Sequence, residues 1–282
     1  MRILITGSAG FIGGRLLRKL WYDHTVVGVD KRPASGTITV DARDFFRDWE
    51  SGHYDLVIHC AAVVGGRKLV ESPLAHAENL EIDAALFQWA ERAKPGRIIY
   101  ISSVAAYPAE LQCCPSVQPL HEDDIDLTDA ISPPDELYGW AKLTGEFLAS
   151  RCSVPVSIPR PFTVYGEDQD PVFPFGNLVM QVRSGCRPLT VWGTGNQVRD
   201  LIHVDDVACG IMEMARQGVD GPVNFCTGHG ITLRELAGKM APDVETVPGP
   251  EGLWYRVGSP RLFSKFYTPR ISLDEGIERA LR

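Results

Sequence analysis

"RILITGSAGFIGG", residues 2–14, decides the fold. Its first five residues are largely apolar and β-branched, the pattern of a strand buried on both faces, whereas the apolar periodicity from Phe11 to Leu20 is that of a helix. Between the two, Gly7, Gly10 and Gly13 let the backbone turn tightly and keep it bare of side chains where the helix begins. The alternation recurs downstream: short apolar runs at 25–30, 55–61 and 97–103 flank apolar-periodic segments such as Leu74 to Ala93. Buried strands joined through helices form right-handed crossovers, so the chain is expected to be an α/β protein with a Rossmann-type, doubly wound parallel sheet covered on both faces.

A polar, Pro-rich stretch from Pro108 to Pro134 interrupts this rhythm before a helix expected from about Glu136 to Ser150. Loops of such length usually serve a site. Beyond the strand "VPVSIP" (154–159) the order is less regular, and two late helices have readable starts, Thr232 with Glu235 and Ser272 with Glu275, each spaced as a capping box. Asp205 and Asp206 read as a cap for the helix that follows them, and His59 and His203, in apolar strand-like runs, read as core histidines. The expected division is a cofactor-binding unit over 1–160, completed by 199–217, with a smaller interleaved α/β substrate unit made of 161–198 and 218–282.

The formal charge of −8 on 282 residues disfavours generic nucleic-acid binding, which relies on basic patches. No run of about 18 apolar residues suggests a membrane span. Seven cysteines without a Cys-x-x-Cys spacing point away from a zinc knuckle and from a disulfide framework, and no metal set is visible. Reduced thiols and the lack of an export pattern fit a cytoplasmic protein.

At the glycine turn, the amides and dipole of the helix amino terminus favour a pyrophosphate, with Phe11 and Ile12 in the first turn. Asp30 ends the second strand 23 residues after Gly7, close to the spacing of a carboxylate that holds the adenine ribose. An aspartate there favours NAD by repelling a 2′-phosphate, while the cations of Lys31 and Arg32 beside it leave NADP open.

"YGWAK" then sets Tyr138 and Lys142 four apart, on one helix face, and Ser103 closes the run "RIIYISS". Together with the glycine turn these residues resemble the extended short-chain dehydrogenase/reductases, in particular the NAD-dependent nucleotide-sugar epimerase/dehydratase family, over nearly the whole chain. The resemblance implies that Ser103, Tyr138 and Lys142 are catalytic, and that Asp41 and Ala42 in "VDARD" approach the adenine. It further implies cofactor contacts from Cys60, Ala61 and Ala62 in "HCAA", from Asn79, from Ile101 and Ser102, and, largely through backbone, from Pro161, Phe162 and Val164 in "PRPFTVYG". In "VWGTGNQVRDLIHVDDVA" it makes Arg199 a ligand of a nucleotide-sugar diphosphate, with Arg256 as a second candidate; a structural pairing of Arg199 with Asp200, Asp205 or Asp206 is the other reading. A homodimer through the helices at 74–93 and 136–150 is a family expectation.

The chemistry turns on "SSVAAYP", residues 102–108. An alcohol gives up hydride as its proton leaves, and a phenol with an ordinary pKa near 10 must be tuned to take that proton. Lys142 and the positively charged nicotinamide would both favour the phenolate, while Ser103 would hydrogen-bond the reacting oxygen. In relatives that dehydrate hexoses an Asp-Glu pair follows the serine, decarboxylating relatives keep a glutamate, and 3,5-epimerising ones a cysteine. Here Val104 and Ala105 stand instead, and neither can move a proton, unless Cys113 or Cys114 reaches in from the loop. Oxidation and re-reduction at one carbon needs no further group, so 4-epimerisation of a nucleotide sugar through a keto sugar is the simplest expectation. Pro108 resembles the branch acting on GDP-sugars, which keeps a net NAD(P)-dependent keto-sugar reductase or dehydrogenase open; a cofactor-sensing protein without turnover is the remaining alternative.

Overall fold

The computed structural model describes residues 1–48, 52–65, 73–113, 118–129, 131–134, 136–249 and 252–282. Cys114, one of the two loop cysteines of interest, lies outside them.

The first half follows the expected alternation: β1 (Arg2–Thr6), α1 (Phe11–Leu20), β2 (Thr25–Asp30), β3 (Thr37–Thr39), α2 (Ala42–Asp48), β4 (Leu56–His59), α3 (Glu78–Ala93), β5 (Ile98–Tyr100), α4 (Leu137–Arg151) and β6 (Val156–Pro161). The helix expected from Leu74 begins as a 3-10 turn, Pro73–Ala77, before α3. The second half adds β7 (Thr163–Tyr165), α5 (Pro174–Arg183), β8 (Leu189–Trp192), β9 (Val198–His203), α6 (Val204–Gln217), β10 (Gly221–Phe225), β11 (Gly230–Thr232), α7 (Leu233–Met240), β12 (Val244–Val247), β13 (Tyr255–Arg256) and α8 (Leu273–Leu281).

A seven-stranded sheet of order β10-β6-β5-β4-β1-β2-β3, parallel throughout, organises the molecule. Strand order reverses about β1, which pairs with β2 on one side and β4 on the other, and a crevice opens at the carboxyl ends of strands at such a switch point. One face is covered by α2, α3 and α4, whose Phe45, Leu86 and Ala149 pack on Leu4, Val57 and Ile98. The other is covered by α1 and α6, where Leu16, Leu17 and Leu20 meet Val207, Ile211 and Met214.

Residues 221–225 join the large sheet. α6 crosses back over the large sheet and delivers β10 alongside β6, so this strand lies in the large sheet although 218–282 was expected on the substrate side. The remaining late strands form a small sheet around β9, parallel to β7 and β13 and antiparallel to β11, with β8 and β12 as a separate parallel pair. Thr232 and Glu235 complete a reciprocal capping box, and Ser272 accepts from the Glu275 amide. The cap of α6 is a correction: His203, rather than Asp205 or Asp206, accepts the Asp205 amide at 3.1 Å. Asp206 turns inward instead, accepting from the Tyr267 hydroxyl (2.7 Å) and from the amides of Arg270 and Ile271, which ties the carboxyl-terminal segment to α6.

Candidate functional site

The glycine turn closes as its sequence demands. Gly7 has φ +70°, and a Cβ on it would lie 2.6 Å from the carbonyl carbon of Cys60, while one on Gly13 would strike the Gly7 oxygen. Gly10 caps α1 without any side-chain acceptor for the first-turn amides, and no acidic residue occupies that turn, so the amino terminus of α1 carries no built-in anion. Asp30, 7% exposed, is pinned beside them by the Ala9 amide (3.0 Å) and the Arg32 amide (2.9 Å), with Arg32 Nε 3.4 Å from the same carboxylate. Lys31 is exposed and faces Glu78 at 3.9 Å. A bare turn, unclaimed amides and a fixed carboxylate fit the pyrophosphate and ribose of a dinucleotide.

Several residues expected to touch that cofactor are already engaged elsewhere. Asn79, fully buried, accepts the Val63 amide (2.7 Å) and donates to the Val63 carbonyl (2.9 Å), so it holds the segment carrying Ala61 and Ala62. Ser102 donates to Glu146 Oε1 at 2.5 Å, and its amide bonds the Pro159 carbonyl. The Ile101 amide bonds the His59 carbonyl, and its own carbonyl accepts from Lys142. Phe162 donates its amide to the Phe225 carbonyl, and the Val164 carbonyl accepts from Gln169. These bonds fix the segments that line the crevice. Both oxygens of Asp41 are likewise held by Arg43, whose hydrogen bonds pull that carboxyl below its ordinary value, with Ala42 opening α2 just behind. Cys60 bonds the Thr6 carbonyl through its amide, and burial pushes its thiol up to about 12, an inert wall. Pro161 ends β6 beside them.

Ser103, Tyr138 and Lys142 come from two elements that meet at the crevice. Ser103 caps a short 3-10 turn, Val104–Ala106, its Oγ accepting the Ala105 amide at 3.1 Å, which leaves the hydroxyl hydrogen to donate elsewhere. Tyr138 lies in the first turn of α4, and Gly139 brings it there, because a Cβ at 139 would fall on the Ala105 carbonyl and 2.7 Å from Pro134 Cβ. Lys142 is 2% exposed; its ammonium donates to the Ile101 carbonyl (2.9 Å) and sits 5.0 Å from the Tyr100 ring centre and 5.8 Å from that of Tyr138. Tyr100 in turn donates to Asp83 at 2.6 Å, and Asp83 meets His59, whose Nδ1 lies 2.8 Å from the Thr6 hydroxyl. Burial keeps His59 below its ordinary pKa, so it stays neutral in this network. His76 stacks obliquely on Tyr138 with ring centres 5.2 Å apart and bonds the Val63 carbonyl.

Sequence reasoning missed the buried polar support. Arg160 on β6 forms a two-pronged pair with Glu146 (2.9 and 2.7 Å) and donates to the Tyr107 hydroxyl and the Glu122 carbonyl. Tyr107 passes the chain on to Asn224 of β10. Glu146 stands four residues after Lys142 and eight after Tyr138, so helical spacing was the signal that could have found it. Val104 packs with Tyr107, Leu120, Phe162 and Cys226, and burial pushes the Cys226 thiol well up, so that wall moves no proton. Cys113 is exposed and turns its thiol onto the Ala109 carbonyl.

Across the crevice, Arg199 and Arg256 are register partners on β9 and β13. Arg199 donates to the carbonyls of Val198 and Leu253, both at 2.8 Å, and forms no ion pair among the described residues. Asp200 is occupied by Thr227 and Gly228, and Asp205 faces Arg15 and Arg279, so none of the three aspartates neutralises Arg199. Burial and the neighbouring Arg256 together pull its pKa down to about 9. A buried cation set beside a second cation suits a polyanionic ligand. Among the described residues no His, Cys, Asp and Glu grouping could hold a metal ion, and no helix is long and apolar enough to cross a membrane.

The sequence matches the description "NAD dependent epimerase/dehydratase family" over residues 3–225. GDP-L-fucose synthase 1 of Arabidopsis thaliana is 28% identical, with 99% of this chain and 91% of that protein covered. The dTDP-4-dehydro-6-deoxy-D-allose reductase of Streptomyces bikiniensis is 26% identical over 83% of this chain and 78% of its own. The structure of the Thermus thermophilus UDP-glucose 4-epimerase in complex with NAD superposes with a TM-score of 0.83, at 25% identity, covering 100% of this chain and 98% of that one.

Proposed function

The chain belongs to the NAD-dependent epimerase/dehydratase family, and from that premise we propose that it is a nucleotide-sugar 4-epimerase in which Ser103, Tyr138 and Lys142 act on the sugar. The observation that carries this reading is the segment after Ser103: Val104 is packed into the apolar wall and Ala105 offers only its backbone, to Ser103 and to the helix of Tyr138. Elimination or epimerisation next to a ketone needs an added acid and base; hydride removal and return at one carbon does not.

Bound NAD supplies the acceptor and donor of that hydride. Tyr138 takes the proton of the sugar hydroxyl as the carbon is oxidised and returns it when the keto sugar, turned to its other face, is reduced. Ser103 donates its free hydroxyl hydrogen to the same oxygen and holds it near the phenol. Lys142, fixed by the Ile101 carbonyl and the Tyr100 ring, stands beside Tyr138 and would hold the nicotinamide ribose. Asp30 receives the adenine ribose, and Arg199 with Arg256 holds the diphosphate. The cofactor-binding unit is then 1–160 with 199–217 and β10, and the rest forms the substrate side. Leu80 on α3 and Trp140 and Phe147 on α4 are exposed, which supports a homodimer through these two helices.

A panel of UDP-, GDP- and dTDP-sugars, followed by NMR, tests the reading. We expect inversion at C4 without net cofactor turnover, and Tyr138→Phe to lower kcat by about 10²- to 10⁴-fold while binding NAD normally. Undiminished turnover in that variant refutes it. The likeness to a keto-sugar reductase favours one second reading, a net reductase, and steady consumption of reduced cofactor would identify it.

A further inference from the structure

We infer that Gln112 is a positioning residue that aims Arg256 at the substrate diphosphate and couples it to the segment carrying Ser103. The inference rests on the reading of Arg199 and Arg256 as diphosphate ligands.

Gln112 ends a 3-10 turn, Ala109–Gln112, just beyond Tyr107 and Pro108, and it is completely buried. Its side-chain NH₂ donates to two consecutive carbonyls, Tyr107 at 3.0 Å and Pro108 at 3.2 Å. Its side-chain oxygen accepts from Arg256 Nε at 2.8 Å, and its backbone carbonyl accepts the Trp254 amide at 3.1 Å. One amide side chain therefore links the loop after Ser103 to β13. That strand is two residues long and pairs only with β9 among the described residues, so the ladder alone orients it weakly. An acceptor at Nε fixes the plane and heading of the guanidinium, and a planar fork binds phosphate well only when its heading is set. Only an amide can serve: glutamate would press a carboxylate on two carbonyls, and methionine offers neither donor nor acceptor.

The test is calorimetric binding of UDP, GDP and dTDP, and of their parent nucleosides, to the NAD-loaded protein. Gln112→Met should weaken the best diphosphate about tenfold and leave its nucleoside unchanged. Arg256→Met should weaken the diphosphate at least as much, and the double variant should be no worse than Arg256→Met alone, because Gln112 acts through Arg256. Full additivity, or equal loss for nucleoside and diphosphate, overturns the inference. If Gln112→Met does not fold, Arg256→Lys decides: it keeps the charge but has no Nε fork to be aimed, so it should lose as much as Arg256→Met, and wild-type affinity refutes the role. Arg199→Met separates the two levels, since unchanged diphosphate affinity in that variant removes the underlying reading, whereas its loss beside a silent Gln112→Met removes only the role of Gln112.

Discussion

Arg199→Met distinguishes a ligand-binding arginine from a structural one. The guanidinium falls from its ordinary 12.5 to about 9, and at about 1.36 kcal/mol for each tenfold change in proton affinity this is roughly 5 kcal/mol against the charged form. That penalty comes mainly from burial and secondarily from Arg256. Opposing it are two hydrogen bonds to the carbonyls of Val198 and Leu253, worth about 1.5–3 kcal/mol each when the donor is charged. The two effects nearly cancel. Methionine covers the same apolar stem without the charge, so the variant should melt within about 2 kcal/mol of wild type, a shift of roughly 4–8 °C at most for a chain of this size. Binding should respond quite differently. Loss of a charged contact to the diphosphate, about 2–3 kcal/mol, weakens a nucleoside diphosphate about 30- to 150-fold while the nucleoside is unaffected. Circular-dichroism melts and calorimetric titration read the two quantities separately. A destabilisation above about 4 kcal/mol with unchanged diphosphate affinity would refute the reasoning and make Arg199 a structural clamp.

Gly139→Val should lower kcat at least tenfold with NAD affinity retained, because its side chain displaces the Ala105 carbonyl contact that brings Tyr138 to Ser103; steady-state kinetics and cofactor titration check it. Glu146→Gln leaves the buried Arg160 without its anion and should cost about 3–5 kcal/mol of stability, read by denaturant unfolding. His203, held below its ordinary pKa chiefly by burial, refuses a proton that the unfolded chain accepts. Stability should therefore fall as pH drops below about 6.5, and His203→Asn, which keeps a side-chain acceptor for the Asp205 amide, should flatten that slope in melts between about pH 7 and 5; an unchanged slope would contradict it.

Much of this was legible because two periods are hard to confuse. The strand-turn-helix at residues 2–20 needed only its β-branched run, its glycines and its 3.6-residue repeat, and both ends of α1 fall where that repeat begins and stops. The face shared by Tyr138 and Lys142 follows from four-residue spacing, and the same spacing carries Glu146, whose partner Arg160 sits in a strand that a charged residue disguises. The place of β10 was not legible, since a five-residue run does not say which sheet it joins; that depends on the path of α6 above it. Gln112 lies in a Pro-rich loop without period, and its partners are distant in sequence or defined only by the turn.

Hydrogen bonds within the protein set how firmly each segment around the crevice is held. The side chains of Asn79 and Ser102 and backbone groups of Ile101, Phe162 and Val164 close bonds within the protein, which anchors the segments that carry them. The Ser103 hydroxyl keeps its hydrogen, α1 presents first-turn amides without a side-chain acceptor, and Arg199 carries a charge that no described carboxylate balances. Those groups lie at the carboxyl ends of β1 and β5 and on β9. Substitutions that break these internal bonds should therefore register in stability, and substitutions at Ser103 and Arg199 in turnover or affinity.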